Sequence, residues 1–225
     1  MQEFAYCDNE LMVEDLKLRE VAERFGTPLY VYSKRSIVDH CRHIEQAFGT
    51  CEHVTCYALK ANGNRALLKI IASEGLGADV GSVGELYLAL SAGFPHDRIT
   101  FSGVGKRNDE IEYALNHEIL AFNVESKEEI EVLNEIAGVV GKIARILLRV
   151  NLDIDARGPG YICTSRKQDK FGVALRHAVE VLRWAQGLPH IEVRGVHSHI
   201  GSQIARVETF EAAAHALVTI VRELR

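Results

Sequence analysis

One lysine is the side chain of this sequence best suited to nucleophilic chemistry. Lys60 follows the apolar residues 57–59 and precedes Gly63, which predicts a position at the end of a buried strand. A lysine amine is normally protonated, but burial disfavours the charge and frees the lone pair to attack a carbonyl carbon. Taken by itself, Lys60 also fits a surface lysine that opens the following loop and helix.

A pair of histidines offers a second kind of chemistry. His197 and His199 lie two residues apart on a predicted strand, so both imidazoles point to one face while Ser198 points to the other. In enzymes built on barrels, such a pair binds a divalent cation when other strand ends add further ligands. The pair can instead serve the structure alone, and the spacing leaves both interpretations open.

The elements that must position these side chains alternate along the chain. Short β-rich runs predict strands at residues 29–32, 54–59, 78–80, 99–101, 120–124, 144–150 and 193–197. Helical patterns occupy residues 33–48, 66–73, 84–90, 108–115, 127–139 and 175–186. Ser33 is the predicted cap of the first helix, and Ser126 with Glu129 predicts a capping box at residues 127–139.

Repeated strand-helix units predict an α/β fold with a parallel sheet, and their spacing favours a TIM-type (β/α)8 barrel. Counting from Val54 gives about six units, so the barrel is expected to be incomplete and the chain to be the amino-terminal part of a longer protein. Residues 33–225 are assigned to this partial barrel. Residues 1–32 lie outside the repeat and are expected to belong to a second, β-rich domain that is mostly missing.

Three charged residues stand where predicted elements begin or end. Asp79 lies near a strand end, where its carboxylate could take a proton from a lysine, orient a histidine or cap the next helix. Arg149 closes an apolar strand and is expected to face the barrel mouth, because buried arginines are rare unless paired. Glu85 lies at a predicted helix start, where a carboxylate that complements the helix dipole explains it as well as a role in the site does.

The glycine-rich residues 101–106 suggest a phosphate-binding loop only superficially. A Walker loop needs Gly-x-x-x-x-Gly-Lys-Ser/Thr, whereas Arg107 follows Lys106 and the first glycine is missing. Lys106 is therefore predicted to be a loop cation at the barrel mouth.

Composition narrows the class of protein. The 225 residues are 47% hydrophobic and 25% charged, as expected of a globular chain, and a net charge of −5 argues against nucleic acid as a partner. No apolar run is long enough to cross a membrane, and no signal peptide is recognisable, so a soluble, cytoplasmic protein is expected. The five scattered cysteines fit reduced thiols better than a disulfide framework.

Five sequence blocks in a fixed order carry a family resemblance. They are YALKAN at 57–62, GADVGSVGEL at 77–86, FSGVGK at 101–106, FNVES at 122–126 and GVHSHIGSQ at 195–203. Together they resemble the pyridoxal-phosphate-dependent decarboxylases of the alanine-racemase fold, and most closely the members that act on diaminopimelate. The resemblance covers nearly the whole chain.

The resemblance implies specific roles for five residues. Lys60 would bond covalently to the aldehyde of pyridoxal 5'-phosphate, and His199 would stack on the pyridine ring. Asp79 would lie near the lysine, Arg149 against the cofactor or the histidine, and Ser202 near the phosphate. The implied reaction removes the α-carboxylate of an amino acid as carbon dioxide, in a homodimer when the protein is full length.

The loop at 153–165 departs from the family, because Pro159-Gly160 and Cys163 replace the usual His-Pro and Ser of its pattern. This departure puts the substrate in doubt, since mouth loops often set specificity. Ornithine or arginine decarboxylases, a racemase, a non-catalytic pyridoxal-phosphate-binding barrel and a metal-dependent barrel hydrolase remain alternatives. Since the phosphate loop and the second domain are expected beyond residue 225, we expect this chain alone to bind cofactor weakly and not to turn over.

Overall fold

The computed structural model describes residues 3–152, 171–202 and 204–225. Its strands are β1 (Phe4–Cys7), β2 (Glu10–Val13), β3 (Leu16–Lys17), β4 (Cys56–Ala58), β5 (Gly77–Val80), β6 (Ile99–Phe101), β7 (Ala121–Val124), β8 (Ala144–Asn151), β9 (Val173–Ala174) and β10 (Ile191–His197). Its α-helices are α1 (Leu18–Phe25), α2 (Lys34–Phe48), α3 (Arg65–Ser73), α4 (Val83–Ala92), α5 (Asn108–Asn116), α6 (Lys127–Val139), α7 (Ala178–Gln186) and α8 (Val207–Leu224). None of the helices within these ranges is long and apolar enough to cross a membrane.

The main sheet is parallel, with strand order β10-β8-β7-β6-β5-β4, and β9 adds a short pairing to β8. Parallel neighbours need a crossover connection, and helices supply it between successive strands of this order. The six strand-helix units and the incomplete barrel expected from the sequence are thereby confirmed.

Strand β8 shows how the sheet separates core from site. Ala144, Ile146, Leu148 and Val150 are buried with the hydrophobic core, whereas the intervening residues are only partly buried. Because side chains alternate across a strand, Arg149 belongs to the face opposite this apolar row. The inner face of the sheet is therefore where polar residues can gather.

Side-chain caps fix where the barrel helices begin. The Ser33 hydroxyl accepts the amide of Ser36 at 3.0 Å at the start of α2, and Ser126 accepts the amide of Glu129 at 3.2 Å in α6. Each cap satisfies an amide that has no partner within the helix. The predicted Ser33 cap is confirmed, whereas the predicted capping box is only half formed, because the Glu129 carboxylate accepts from the amide of Glu125 and not from that of Ser126.

Residues 29–32 are not a strand in the described structure, so this prediction was wrong. Their aromatic and branched side chains favour a sheet only when neighbours bury them, and Tyr30 is 87% exposed. The strands of the small antiparallel sheet β1-β2-β3 were not predicted individually, although β structure was expected in residues 1–32. Glu14 joins this sheet to α2, because its carboxylate accepts from the Ser33 hydroxyl at 2.7 Å and the Arg35 amide at 2.8 Å.

Candidate active site

A cleft of about 450 Å³ lies at the carboxyl ends of the parallel strands. The described residues that line it are Lys60, Asp79, Gly81, Ser82, Glu85, Ser102, Gly103, Arg149, Phe171, His197 and His199. The structure therefore brings together four of the five predicted site residues. Ser202 is exposed and is not among these lining residues.

Lys60 is presented by a single 3-10 turn, Leu59–Ala61, that follows β4 directly. Leu59 is buried with 1% exposure and anchors the turn, and the Tyr57 hydroxyl donates to the carbonyl of Asn62 at 3.3 Å. The predicted strand ends one residue earlier than expected, at Ala58. Lys60 is exposed to the cleft, where its amine can meet a ligand, so the predicted burial of this lysine was wrong.

Asp79 lies on β5, and hydroxyl donors hold its carboxylate. Thr100 Oγ1 donates to Asp79 Oδ1 at 2.9 Å, and Ser102 Oγ donates to the same oxygen at 2.6 Å. The helix after β5 is capped by Ser82, whose hydroxyl accepts the amide of Glu85. Asp79 is therefore a residue of the cleft, and the interpretation of it as a helix cap was wrong.

Glu85 also contributes to the cap of α4. Its carboxylate accepts from the backbone amide of Gly81 at 2.7 Å, in addition to the bond from its own amide to Ser82. This reciprocal pair satisfies two amides at the start of the helix. Glu85 thus shapes the cleft wall in a structural role.

Arg149 forms a short ion pair with Glu125. Its Nη1 atom lies 2.6 Å from Glu125 Oε1, and the two side chains are only 12% and 8% exposed. The Phe171 ring lies under the guanidinium, 4.8 Å from its carbon. Arg149 lines the cleft, in agreement with its predicted position at the barrel mouth, and Glu125 is a residue of this region that the sequence reasoning missed.

The two histidines reach the same cleft, as their spacing predicted. Burial is the main cause that lowers the pKa of His197 to about 4, and the charges of Arg149, His199 and Lys106 lower it further. Burial also lowers the pKa of His199, with Lys60 and Arg149 adding to the shift. Both imidazoles are therefore neutral at neutral pH.

The neutral state of His197 predicts a pH-dependent stability. Its pKa falls from an ordinary value of 6.5 to about 4, so the unfolded chain holds the proton more tightly. Stability is full above the unfolded value and is lost as the pH falls towards 4, by on the order of 2–3 kcal/mol. Urea unfolding of the cofactor-free full-length protein at about pH 7.5 and about pH 5 measures this slope.

Matched substitutions separate His197 from the other histidines. We expect His197→Gln to flatten the pH dependence, because glutamine does not titrate. The exposed His43 lies on α2 and far along the chain from the cleft, so His43→Gln should leave the slope as it is. An unchanged slope in His197→Gln would contradict the prediction.

Lys106 is buried, which corrects its predicted place as a cation at the barrel mouth. Its side chain is 1% exposed, and its ammonium donates to the carbonyls of Gly103 and Asn123 and to Glu129 Oε1, at 2.7, 2.8 and 2.7 Å. All three ammonium protons thus have partners, which removes the penalty of burying the charge. Lys106 fastens the loop after β6 to the end of β7 and to α6.

The described ranges contain no group of three or more His, Cys, Asp or Glu side chains that could hold a metal ion. The metal-dependent hydrolase alternative consequently finds no ligand set there. The atypical loop at 153–165 lies outside the described residues, so its bearing on substrate choice stays a prediction.

The described cleft fits the reactive part of pyridoxal phosphate. Lys60 offers an amine for an aldehyde, and His199 offers a neutral imidazole that can pack on a flat ring. Gly81 and Gly103, which have no side chains, leave space in the lining. One buried polar atom of a residue that lines the cleft, His197 Nδ1, also has no hydrogen-bond partner in the described structure and is available to a polar ligand.

Comparison with known proteins gives a consistent result. The family model described as pyridoxal-dependent decarboxylase, pyridoxal binding domain, matches residues 34–225. Diaminopimelate decarboxylase of Aquifex aeolicus is 46% identical over 97% of this chain and 52% of its own length. The corresponding enzyme of Haemophilus influenzae is 43% identical over 100% of this chain and 54% of its own length.

Solved structures agree with the sequence comparison. Diaminopimelate decarboxylase from M. jannaschii in co-complex with L-lysine has a TM-score of 0.91 and 34% identity, covering 99% of this chain and 53% of that one. An enzyme variant from Helicobacter pylori complexed with L-lysine has a TM-score of 0.90 and 39% identity, covering 92% and 53%. The chain spans about half the length of the curated relatives it matches. Through the match at residues 34–225, this chain belongs to the pyridoxal-dependent decarboxylases.

Proposed function

We propose that the full-length protein removes one carboxylate of meso-diaminopimelate as carbon dioxide and releases L-lysine. The observation that carries this proposal is the cleft that gathers Lys60, Asp79, Arg149 and His199 at the strand ends. Pyridoxal 5'-phosphate is the cofactor that membership of the family implies. The names of the relatives support the substrate, and L-lysine in two similar structures matches the expected product.

Each residue of the cleft has a task in this reaction. When bound, the cofactor supplies an aldehyde to which amines add and a ring that accepts the electron pair left by departing carbon dioxide. Lys60 would hold the cofactor through its amine. His199 would pack against the ring as a neutral imidazole, because its pKa is lowered. Asp79 places a carboxylate beside the lysine.

Arg149 contributes position and charge. Its pair with Glu125 and its contact with Phe171 hold the guanidinium in one place. Its positive charge adds to burial in lowering the pKa of both His197 and His199, which supports neutral imidazoles in the cleft. Ser202 is proposed to approach the phosphate, in the loop that follows His199.

The assay that tests this function uses the full-length protein with added pyridoxal phosphate. Incubation with meso-diaminopimelate should release carbon dioxide and L-lysine in equal amounts. Parallel incubations with ornithine and arginine test the related decarboxylases, and recovery of the opposite stereoisomer without carbon dioxide would indicate a racemase. Absence of carbon dioxide from every substrate, with the cofactor bound, would favour a non-catalytic barrel and overturn the proposal.

The oligomeric state and cellular location of the full-length protein are also proposals. We infer a cytoplasmic homodimer, on the strength of the family resemblance and a composition without long apolar runs. Residues 1–32 are proposed to join a second domain, because Phe4, Tyr6 and Leu16 of the small sheet are exposed large hydrophobic residues.

A further inference from the structure

We propose that Asn123, buried beneath the cleft, is a positioning residue that holds the carboxyl group of Asp79 as a hydrogen-bond acceptor through the hydroxyl of Ser102. The proposal rests on the proposed pyridoxal-phosphate chemistry and deepens it. It concerns a row of polar side chains on β5, β6 and β7 and the residue that follows β6. Neither the family resemblance nor the residue spacing pointed to Asn123 or Ser102 as site residues.

The row begins at Asp79 and runs inward across neighbouring strands. Ser102 Oγ lies 2.6 Å from Asp79 Oδ1, and Asn123 Nδ2 lies 2.8 Å from Ser102 Oγ. Phe101 of β6 pairs with Phe122 of β7, so Ser102 and Asn123 lie one step further along the same pair of strands. The contacts therefore follow from strand register.

The number of protons that each group can donate fixes the direction of these hydrogen bonds. A serine hydroxyl has a single proton. The Ser102 hydroxyl accepts a hydrogen bond from the Asn123 amide and donates one to Asp79. Asp79 Oδ1 can accept this bond and the one from Thr100 only while that oxygen carries no proton. The 2.6 Å distance is in the range of hydroxyl bonds to an ionised carboxylate.

The side chain of Asn123 does not favour folding stability at its buried position. It is only 4% exposed, and its Oδ1 atom has no hydrogen-bond partner in the described ranges. A buried polar atom without a partner costs free energy that an apolar side chain of similar shape would avoid. Folding stability therefore does not explain the amide, whereas a donor aimed at Ser102 does.

A second contact keeps Asn123 in place. The carbonyl of Asn123 accepts from the ammonium of the buried Lys106 at 2.8 Å. A turned amide would present its oxygen to Ser102 and would draw the hydroxyl proton away from Asp79. The short bond from Ser102 to Asp79 uses the only hydroxyl proton, so the atom of the Asn123 amide that faces Ser102 is the donor Nδ2.

The far end of the row acts on the cleft. Asp79 lines the cleft with Lys60 and His199, and its Oδ2 atom makes no hydrogen bond to the part of the chain that the structure describes. The Asp79 charge opposes the effect of Lys60 on His199, because it raises the pKa of that imidazole while Lys60 lowers it. Asp79 pairs with Ala58 in the sheet, two residues before Lys60, so a fixed carboxylate here can stabilise a positive charge on the nitrogen of Lys60.

The decisive experiment is a pH titration of the visible absorbance of the lysine-bound cofactor in the full-length protein. In Asn123→Leu, Asp79 should stabilise the cation less, so the titration midpoint should move to lower pH by about one unit. Urea unfolding should show no loss of stability, because leucine leaves no unpaired oxygen. The matched control is Asn134 on α6, whose Oδ1 accepts a hydrogen bond from the backbone amide of His190. In Asn134→Leu the stability should fall while the titration midpoint stays unchanged.

A second pair of variants keeps the test valid if Asn123→Leu does not fold. Ser102→Ala should shift the midpoint in the same direction, and Ser102→Thr should restore it by returning the hydroxyl. Unchanged midpoints in Asn123→Leu or, if that variant is unfolded, in Ser102→Ala would overturn the positioning role while leaving the proposed function intact. Absence of any lysine-bound absorbance in the unmodified protein would overturn both.

Discussion

Replacing Lys60 by alanine is expected to abolish covalent attachment of pyridoxal phosphate and to lower decarboxylation by about 10³-fold or more. Alanine has no amine to bond the aldehyde, and the rigid turn Leu59–Ala61 offers no second lysine in its place. Borohydride reduction followed by mass measurement shows whether the cofactor has become fixed to the chain, and carbon dioxide release gives the rate.

Two comparison variants make the result specific. Lys60→Arg keeps a positive charge but lacks a usable lone pair, so it should lose attachment as completely as alanine does. Lys69→Ala removes an exposed lysine from α3 and should leave both readings unchanged. Retention of the fixed cofactor in both Lys60 variants would show that another amine is the attachment point.

Replacing Gly77 by alanine is expected to destabilise the fold by about 3 kcal/mol or more. A β-carbon at Gly77 would collide with the backbone carbonyl of Arg98 and would lie 2.9 Å from the Cys56 sulfur. The collision is with backbone, which cannot move as a flexible side chain can. Thermal and urea unfolding of the full-length protein should show the loss.

The matched control for this change is Gly105→Ala. A β-carbon there has no atom within 4 Å, so the stability should change by about 0.5 kcal/mol at most. The damage at Gly77 should also reach the site, because Asp79 lies two residues further along β5 and faces Thr100. Equal stability of the two variants would contradict the close-packing argument.

Most of the barrel elements could be predicted because local patterns and global packing agree there. Strand β6 and helix α6 match their predicted bounds, since each is a short apolar run or a capped helical repeat that needs no distant partner to be recognised. The strand predicted at residues 29–32 was wrong because local pattern and global packing disagree there. Their β propensity is real, but a strand depends on neighbours that a local pattern cannot reveal.

The candidate site was predictable where charge is unusual in its setting. Arg149 drew attention because it interrupts an apolar strand, and Lys60 because it ends one. Glu125 directly follows the apolar strand β7. The argument that singled out Asp79, a charged residue near a strand end, would therefore have singled out Glu125 as well. Lys106 could not be placed from sequence, because its burial depends on three acceptors contributed by separate segments.

The order of strands has a consequence for the span of the cleft. Lys60 follows β4 and His199 follows β10, and within the described structure these are the two outer strands of the main sheet. The distance between the amine and the imidazole is thus a cumulative quantity, summed over five strand pairings whose twists add. A small change of twist in any inner strand is transmitted to the gap between Lys60 and His199, so residues far from either one help to set the width available to a ligand.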